Sequence, residues 1–147
     1  SCAGYKIWML SQTGKGSPMN NLLLHFFCVA AGGAIGASGR YAIGLAMQSF
    51  GLRAFPFATL TVNILGSFLL GLLLAYGQQQ SVSETTRLFI GVGVLGAFTT
   101  FSTFSVEVVT LASQGEMLKA ALHIGLNVII CIAAVVAAMM LYSTTVK

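Results

Sequence analysis

Apolar residues fill this chain in four long blocks rather than in short amphipathic repeats. Asp, Glu, Lys and Arg are absent from Leu22–Gly39, Ala54–Ser83, Leu88–Val106 and Ala120–Val146. About 20 apolar residues suffice for a helix to cross a bilayer, so each block is of spanning length, the first by the smallest margin. The pattern predicts helices over Leu22–Met47, Phe57–Tyr76, Arg87–Leu111 and Met117–Tyr142. The second begins just after Pro56, Gln78–Thr86 reads as a polar loop, and Ser113–Glu116 reads as a tight turn. Four core helices of a soluble domain would need polar outer faces, and these blocks lack them. The expected fold class is an all-α membrane protein with four transmembrane helices.

The third block departs from a plain lipid-facing helix. From Gly91 to Glu107 it mixes glycines, hydroxyls and phenyl rings, and it ends on a carboxylate. Unsatisfied polar groups cost several kcal/mol in hydrocarbon, so non-helical backbone at that depth survives only where it is buried or lines a wet cavity. A broken third helix lining a polar path is therefore expected, with the break near Gly96–Thr100.

Polar residues also fall into stripes, because residues four apart share a helix face. Thr59, Asn63 and Ser67 form one stripe, and His123, Asn127 and Cys131 form another. Past the expected break, Thr100, Thr103, Glu107 and Thr110 share a third face. Each stripe alone is also explained by hydrogen bonding between helices, typically ~0.6–2 kcal/mol per bond. Together, three stripes on three helices can enclose a wet path. Phe101 and Phe104 sit beside these hydroxyls; rings at helical spacing are usually core, but a positive ring edge can hold an anion weakly. Weak binding suits conduction, where an ion must leave as readily as it enters. Arg40 and Glu107 are the charges nearest the spans. Intramembrane charge is costly and points to function by default. For Arg40, snorkelling to the headgroups is the equal alternative; at a pore mouth its field would concentrate anions.

Composition agrees with a membrane class. Of 147 residues, 56% are hydrophobic and 7% charged, against roughly 25% charged in soluble domains. Cys2, Cys28 and Cys131 are odd in number and scattered, which argues against a disulfide framework or a zinc site. Residues 1–18 differ in character and read as an N-terminal extension outside the four-helix transmembrane domain, which would occupy residues 19–147. Gly14-Lys-Gly-Ser lacks the spacing of a phosphate loop. Lys and Arg near helix ends normally set orientation. From Met19 onward the loops balance, Arg87 and Lys147 against Arg53 and Lys119, so nothing fixes the direction of insertion. Oppositely inserted copies can then pair as an antiparallel dimer; a marginal bias hidden in this count is the plain alternative. Gly32, Gly33, Gly36 and Gly39 provide small surfaces for close helix approach.

Three segments carry a family resemblance: Gly32-Gly-Ala-Ile-Gly-Ala-Ser-Gly-Arg40, Pro56-Phe-Ala-Thr-Leu-Thr-Val-Asn-Ile-Leu-Gly-Ser67 and Thr99-Thr-Phe-Ser-Thr-Phe-Ser-Val-Glu107. Across roughly Met19 to Tyr142 the chain resembles the Fluc/CrcB family of fluoride channels. The resemblance implies passive, fluoride-selective export across the plasma (inner) membrane by a dual-topology antiparallel homodimer with two pores. It implies an ion pathway past Phe101 and Phe104 with Asn63 facing the ion; along it Asn63, hydroxyls such as Ser102 and Thr103, and the phenyl edges would replace the ion's water. It implies a structural sodium ion held by the backbone carbonyls of Gly96 and Thr99. The chain departs from the family on the fourth helix, where Tyr and Ser are common but His123, Asn127 and Cys131 stand. His123 and Asn127 are placed on the pathway, and an imidazole with an ordinary pKa near 6.5 would make conduction pH-sensitive. Arg40 and Glu107 are assigned vestibule or structural roles.

Two other classes fit a small four-span chain. A proton-coupled exporter of the small multidrug-resistance type needs an acid in its first helix, and Leu22–Met47 contains none. A non-conducting assembly subunit would use the polar stripes for packing alone. No nucleophile–base–acid set or metal cluster suggests an enzyme, and no nucleic-acid partner is expected; the lone His25 and His123 lack ligand spacing.

Overall fold

The computed structural model describes residues 19–52 and 54–145, with the side chains of Met19 and Asn20 left aside. The expected extension over residues 1–18 lies outside the described residues. The elements in order are α1 (Met19–Ser49), α2 (Phe57–Gln79), α3 (Glu84–Thr86), a π-helical stretch (Arg87–Leu95), α4 (Gly96–Phe98), α5 (Phe101–Ser113) and α6 (Met117–Thr145). Among the described residues all regular structure is helical. Four helical runs are long and apolar enough to cross a membrane: Asn21–Ser49, Phe57–Gln79, Glu84–Ser113 and Met117–Thr145.

These runs exceed the predicted helices by two to three residues at several ends. The expected loop over Gln78–Thr86 shrinks the most. Gln78 and Gln79 remain helical, and the next helix starts at Glu84. The reason is a cap the sequence reading overlooked: Ser83 Oγ accepts the Thr86 N–H at 3.1 Å, satisfying a donor that a helix start leaves open. The other two turns share one device. Leu52 N–H reaches Met47 O and Gly51 N–H reaches Gln48 O, each at 3.1 Å. Glu116 N–H likewise reaches Leu111 O at 2.9 Å, and Gly115 N–H reaches Ala112 O at 3.0 Å. This is the Schellman pattern, which needs a left-handed residue after the helix; Gly51 and Gly115 supply it with φ of 73° and 79°.

Packing pairs α2 with α6 and α1 with the π-helical stretch. Glycines make the second contact possible. A Cβ on Gly32 would strike the Phe89 carbonyl oxygen, and one on Gly36 would strike that of Val94. On the facing strand of backbone, a Cβ on Gly93 would lie 2.9 Å from Gly32 Cα. Close backbone approach of this kind is how helices associate where lipid is as apolar as the side chains. The outward faces carry large apolar residues such as Phe26, Phe27, Leu118 and Ile129, as a lipid-facing surface requires.

Within the third span, helix gives way at two residues. Thr99 has φ, ψ of −80°, 157° and Thr100 has −152°, 117°, both extended. Thr100 then caps α5, its hydroxyl accepting the Thr103 N–H at 3.2 Å.

Candidate functional site

The extended pair takes its backbone groups out of the helical ladder, and one side chain replaces the missing partners. Asn63, at mid-α2, accepts the Thr100 N–H on Oδ1 at 2.8 Å and donates from Nδ2 to the Thr100 carbonyl at 3.2 Å. Its Nδ2 also donates to Asn127 Oδ1 on α6 at 2.9 Å. Both N–H bonds of the amide are thus engaged with protein. Asn127 Nδ2 in turn meets the His123 carbonyl oxygen at 3.0 Å and His123 Nδ1 at 3.2 Å. His123 Nε2 stands 3.1 Å from Glu107 Oε2, and Thr59 donates to Glu107 Oε1 at 2.8 Å. A single hydrogen-bonded seam therefore joins α2, α5 and α6. Thr59, Thr100 and Asn127 are nearly inaccessible and His123 is 0% exposed, while Asn63 and Glu107 are half-buried.

The aromatic rings cover this seam. Phe104 packs against His123 with centroids 5.1 Å apart, and Phe55 meets the same imidazole edge-on at 5.4 Å and 89°. Phe101 lies 5.3 Å from Phe104 but turns outward, 78% exposed. An open cleft of about 390 Å³ runs beside them, lined by Asn63, Ser67, Thr100, Phe101, Phe104 and Asn127 among others. A larger cleft of about 810 Å³ lies near Gln78–Val82 and Arg87 and contains none of the expected site residues.

The structure brings most of the sequence-picked residues together. Asn63, Phe101, Phe104 and Asn127 border the cleft. Ser102 and Thr103 are exposed on the first turn of α5, tied to the Thr100 hydroxyl at 3.3 and 3.0 Å. Glu107 is an acceptor within the seam rather than a free acid, and His123 sits behind Phe104 rather than on the cleft wall. Arg40 is half-buried on α1 and, among the described residues, makes no hydrogen bond to the seam. Thr59 belonged to a recognised stripe, yet its pairing with Glu107 was not foreseen. Phe55 was missed altogether: it precedes Pro56 outside any periodic segment, and no local signal announces its contact with His123.

The donor set at Gly96 and Thr99 fits a hard cation such as sodium. In an uninterrupted α-helix the Thr100 N–H would go to the Gly96 carbonyl; here it goes to Asn63. The Thr99 carbonyl belongs to an extended residue outside the ladder. Carbonyls released this way are suitable ligands for small cations.

Four apolar spans around a buried polar seam define a multi-pass membrane protein, and the comparisons with known proteins specify which kind. The family described as CrcB-like protein, Camphor Resistance (CrcB), matches residues 27–139. The fluoride-specific ion channel FluC of Idiomarina loihiensis is 86% identical over 129 residues, spanning 88% of this chain and 100% of that protein. Proteins of the same name from Shewanella sp. strain ANA-3 and Shewanella halifaxensis are 54% and 55% identical over 115 residues, 78% of this chain and 89% of each. The chain belongs to the CrcB family.

Proposed function

We propose that this chain is a fluoride-selective ion channel of the plasma membrane, which lets fluoride leave the cytoplasm passively and so limits its toxicity. The observation that carries the reading is the Asn63–Thr100 pairing beside Phe101 and Phe104, in a chain similar to proteins named fluoride-specific channels. A small, strongly hydrated anion needs replacement donors along its path, each weak enough to release it. The hydroxyls of Ser102 and Thr103 and the positive edges of Phe101 and Phe104 meet that requirement. Asn63 shapes the wall there, since its amide hydrogens are already engaged.

The same reading takes the extended Thr99–Thr100 pair as a functional break in the third transmembrane helix. It takes the working unit as an antiparallel, dual-topology homodimer, supported by the balanced loop charges and by the exposure of Phe101. A pore-lining ring left open on a single chain calls for a second copy to enclose it. The carbonyls of Gly96 and Thr99 would hold a structural sodium ion, which would supply fixed positive charge at the subunit contact. Fluoride efflux from liposomes, read on a fluoride electrode with chloride as the control, tests the proposal. Fast fluoride release with negligible chloride release is expected; equal release of both anions, or none from inserted dimer, overturns it.

A further inference from the structure

The seam has a direction that can be read outward from the backbone, where donors and acceptors are chemically fixed. Thr100 N–H must donate and Thr100 O must accept, so the oxygen and nitrogen of the Asn63 amide are assigned without reference to other side chains. Its remaining N–H then goes to Asn127 Oδ1. That turns the Asn127 nitrogen toward His123, where the carbonyl oxygen of His123 anchors it a second time. The last Asn127 hydrogen faces His123 Nδ1 at 3.2 Å, so Nδ1 presents a lone pair. A neutral imidazole with bare Nδ1 carries its hydrogen on Nε2, and Nε2 faces a carboxylate oxygen of Glu107 whose fellow accepts from Thr59.

We infer that His123 and Asn127 are positioning residues rather than ion ligands: with His123 as the Nε2–H tautomer, they form a one-way relay that holds both amide hydrogens of Asn63 away from the ion path. The inference rests on the channel reading for its functional meaning, and on the hydrogen-bond geometry alone for the tautomer. His123 is inaccessible, packed against Phe104 and Phe55, so an ion in the cleft meets the two phenyl rings and the hydrogen-bonded Asn63 and Asn127 amides, not imidazole. Releasing Asn127 would free one strong N–H donor of Asn63 beside the path. An added donor holds an anion longer, and an ion that leaves slowly conducts slowly.

Nitrogen-15 NMR on the full chain in lipid nanodiscs at pH 8, with His25→Gln used to assign the second histidine, reads the tautomer directly. Wild type should show Nε2 protonated and Nδ1 bare. Asn127→Asp places an oxygen opposite Nδ1 and should move a proton onto Nδ1, a change that residues serving only to fill space would not produce. In efflux, His123→Gln keeps a donor for Glu107 and should stay close to wild type, whereas His123→Leu and Asn127→Leu should slow fluoride by about tenfold, the scale of one lost buried hydrogen bond. A wild-type histidine protonated on Nδ1, an unmoved spectrum in Asn127→Asp, or equal flux in His123→Gln and His123→Leu would overturn the relay. Absent fluoride flux in wild type with the Nε2–H tautomer in place would instead sink the channel reading and leave the geometric assignment standing.

Discussion

Replacing Asn63 with Leu should unfasten the middle of the third span. Leucine keeps the volume and the apolar character of α2 but removes three hydrogen bonds: to the Thr100 N–H at 2.8 Å, to the Thr100 carbonyl at 3.2 Å and to Asn127 at 2.9 Å. At ~0.6–2 kcal/mol per bond between membrane helices, the loss sums to roughly 2–6 kcal/mol. The upper part of that range applies if no water reaches Thr100, because its backbone groups then stay unsatisfied in a buried position. The assay is reversible unfolding in mixed SDS micelles, paired with hydrogen exchange at the Thr100 amide. Asn63→Leu should lower the unfolding free energy by that amount and strip protection from Thr100. Asn63→Asp keeps the acceptor for the Thr100 N–H but loses both donated bonds, so it should fall between. Unchanged stability together with full protection at Thr100 would refute the claim that Asn63 takes the place of helical partners for Thr100.

Phe101→Ile or Phe104→Ile should abolish or sharply reduce fluoride efflux while leaving the protein folded and monodisperse on gel filtration; normal flux in both variants would remove the phenyl pathway. Gly36→Val should lower the yield of monodisperse protein, because its Cβ would strike the Val94 carbonyl oxygen and overpacking costs about 1–3 kcal/mol or more; wild-type behaviour would mean that α1 can shift. Replacing sodium with a large organic cation should lower the thermal midpoint by removing a ligand bound only to the folded state, and an identical midpoint in both salts would count against sodium at Gly96 and Thr99.

The spans were legible because hydrocarbon imposes one rule on every residue inside it: long charge-free blocks read as crossings whatever packs against them. Asn63, Thr59, Asn127 and His123 were legible as stripes, since four-residue spacing puts them on one face. Which stripe would meet which was not. Glu107 looked like a misplaced charge because its partners, Thr59 and His123, lie 48 and 16 residues away in sequence. The helix start at Glu84 was missed for a local reason: Ser83 reads as loop until its hydroxyl is seen on the Thr86 N–H. Phe55 carried no signal, since its contact with His123 depends on how the turn before α2 folds over α6.

The seam explains why a chain this apolar retains Asn63, Asn127, His123 and Glu107 at depth. Two extended residues put Phe101 and Phe104 at the start of a new helix, where both rings line one edge of a cleft. That geometry exposes a backbone N–H and a carbonyl at Thr100, which hydrocarbon does not tolerate. An amide is the side chain that offers one donor and one acceptor to the same residue, so Asn63 answers both groups. Its second N–H then needs an acceptor, which is Asn127; the Asn127 nitrogen needs acceptors, which His123 supplies from its ring and its carbonyl; and the ring hydrogen ends on Glu107. Each polar residue is required by the one before it, and the series stops at a carboxylate because only an acceptor can close it. The demand begins at the two extended threonines, and the half-buried carboxylate on α5 is its last consequence rather than an independent feature of the path.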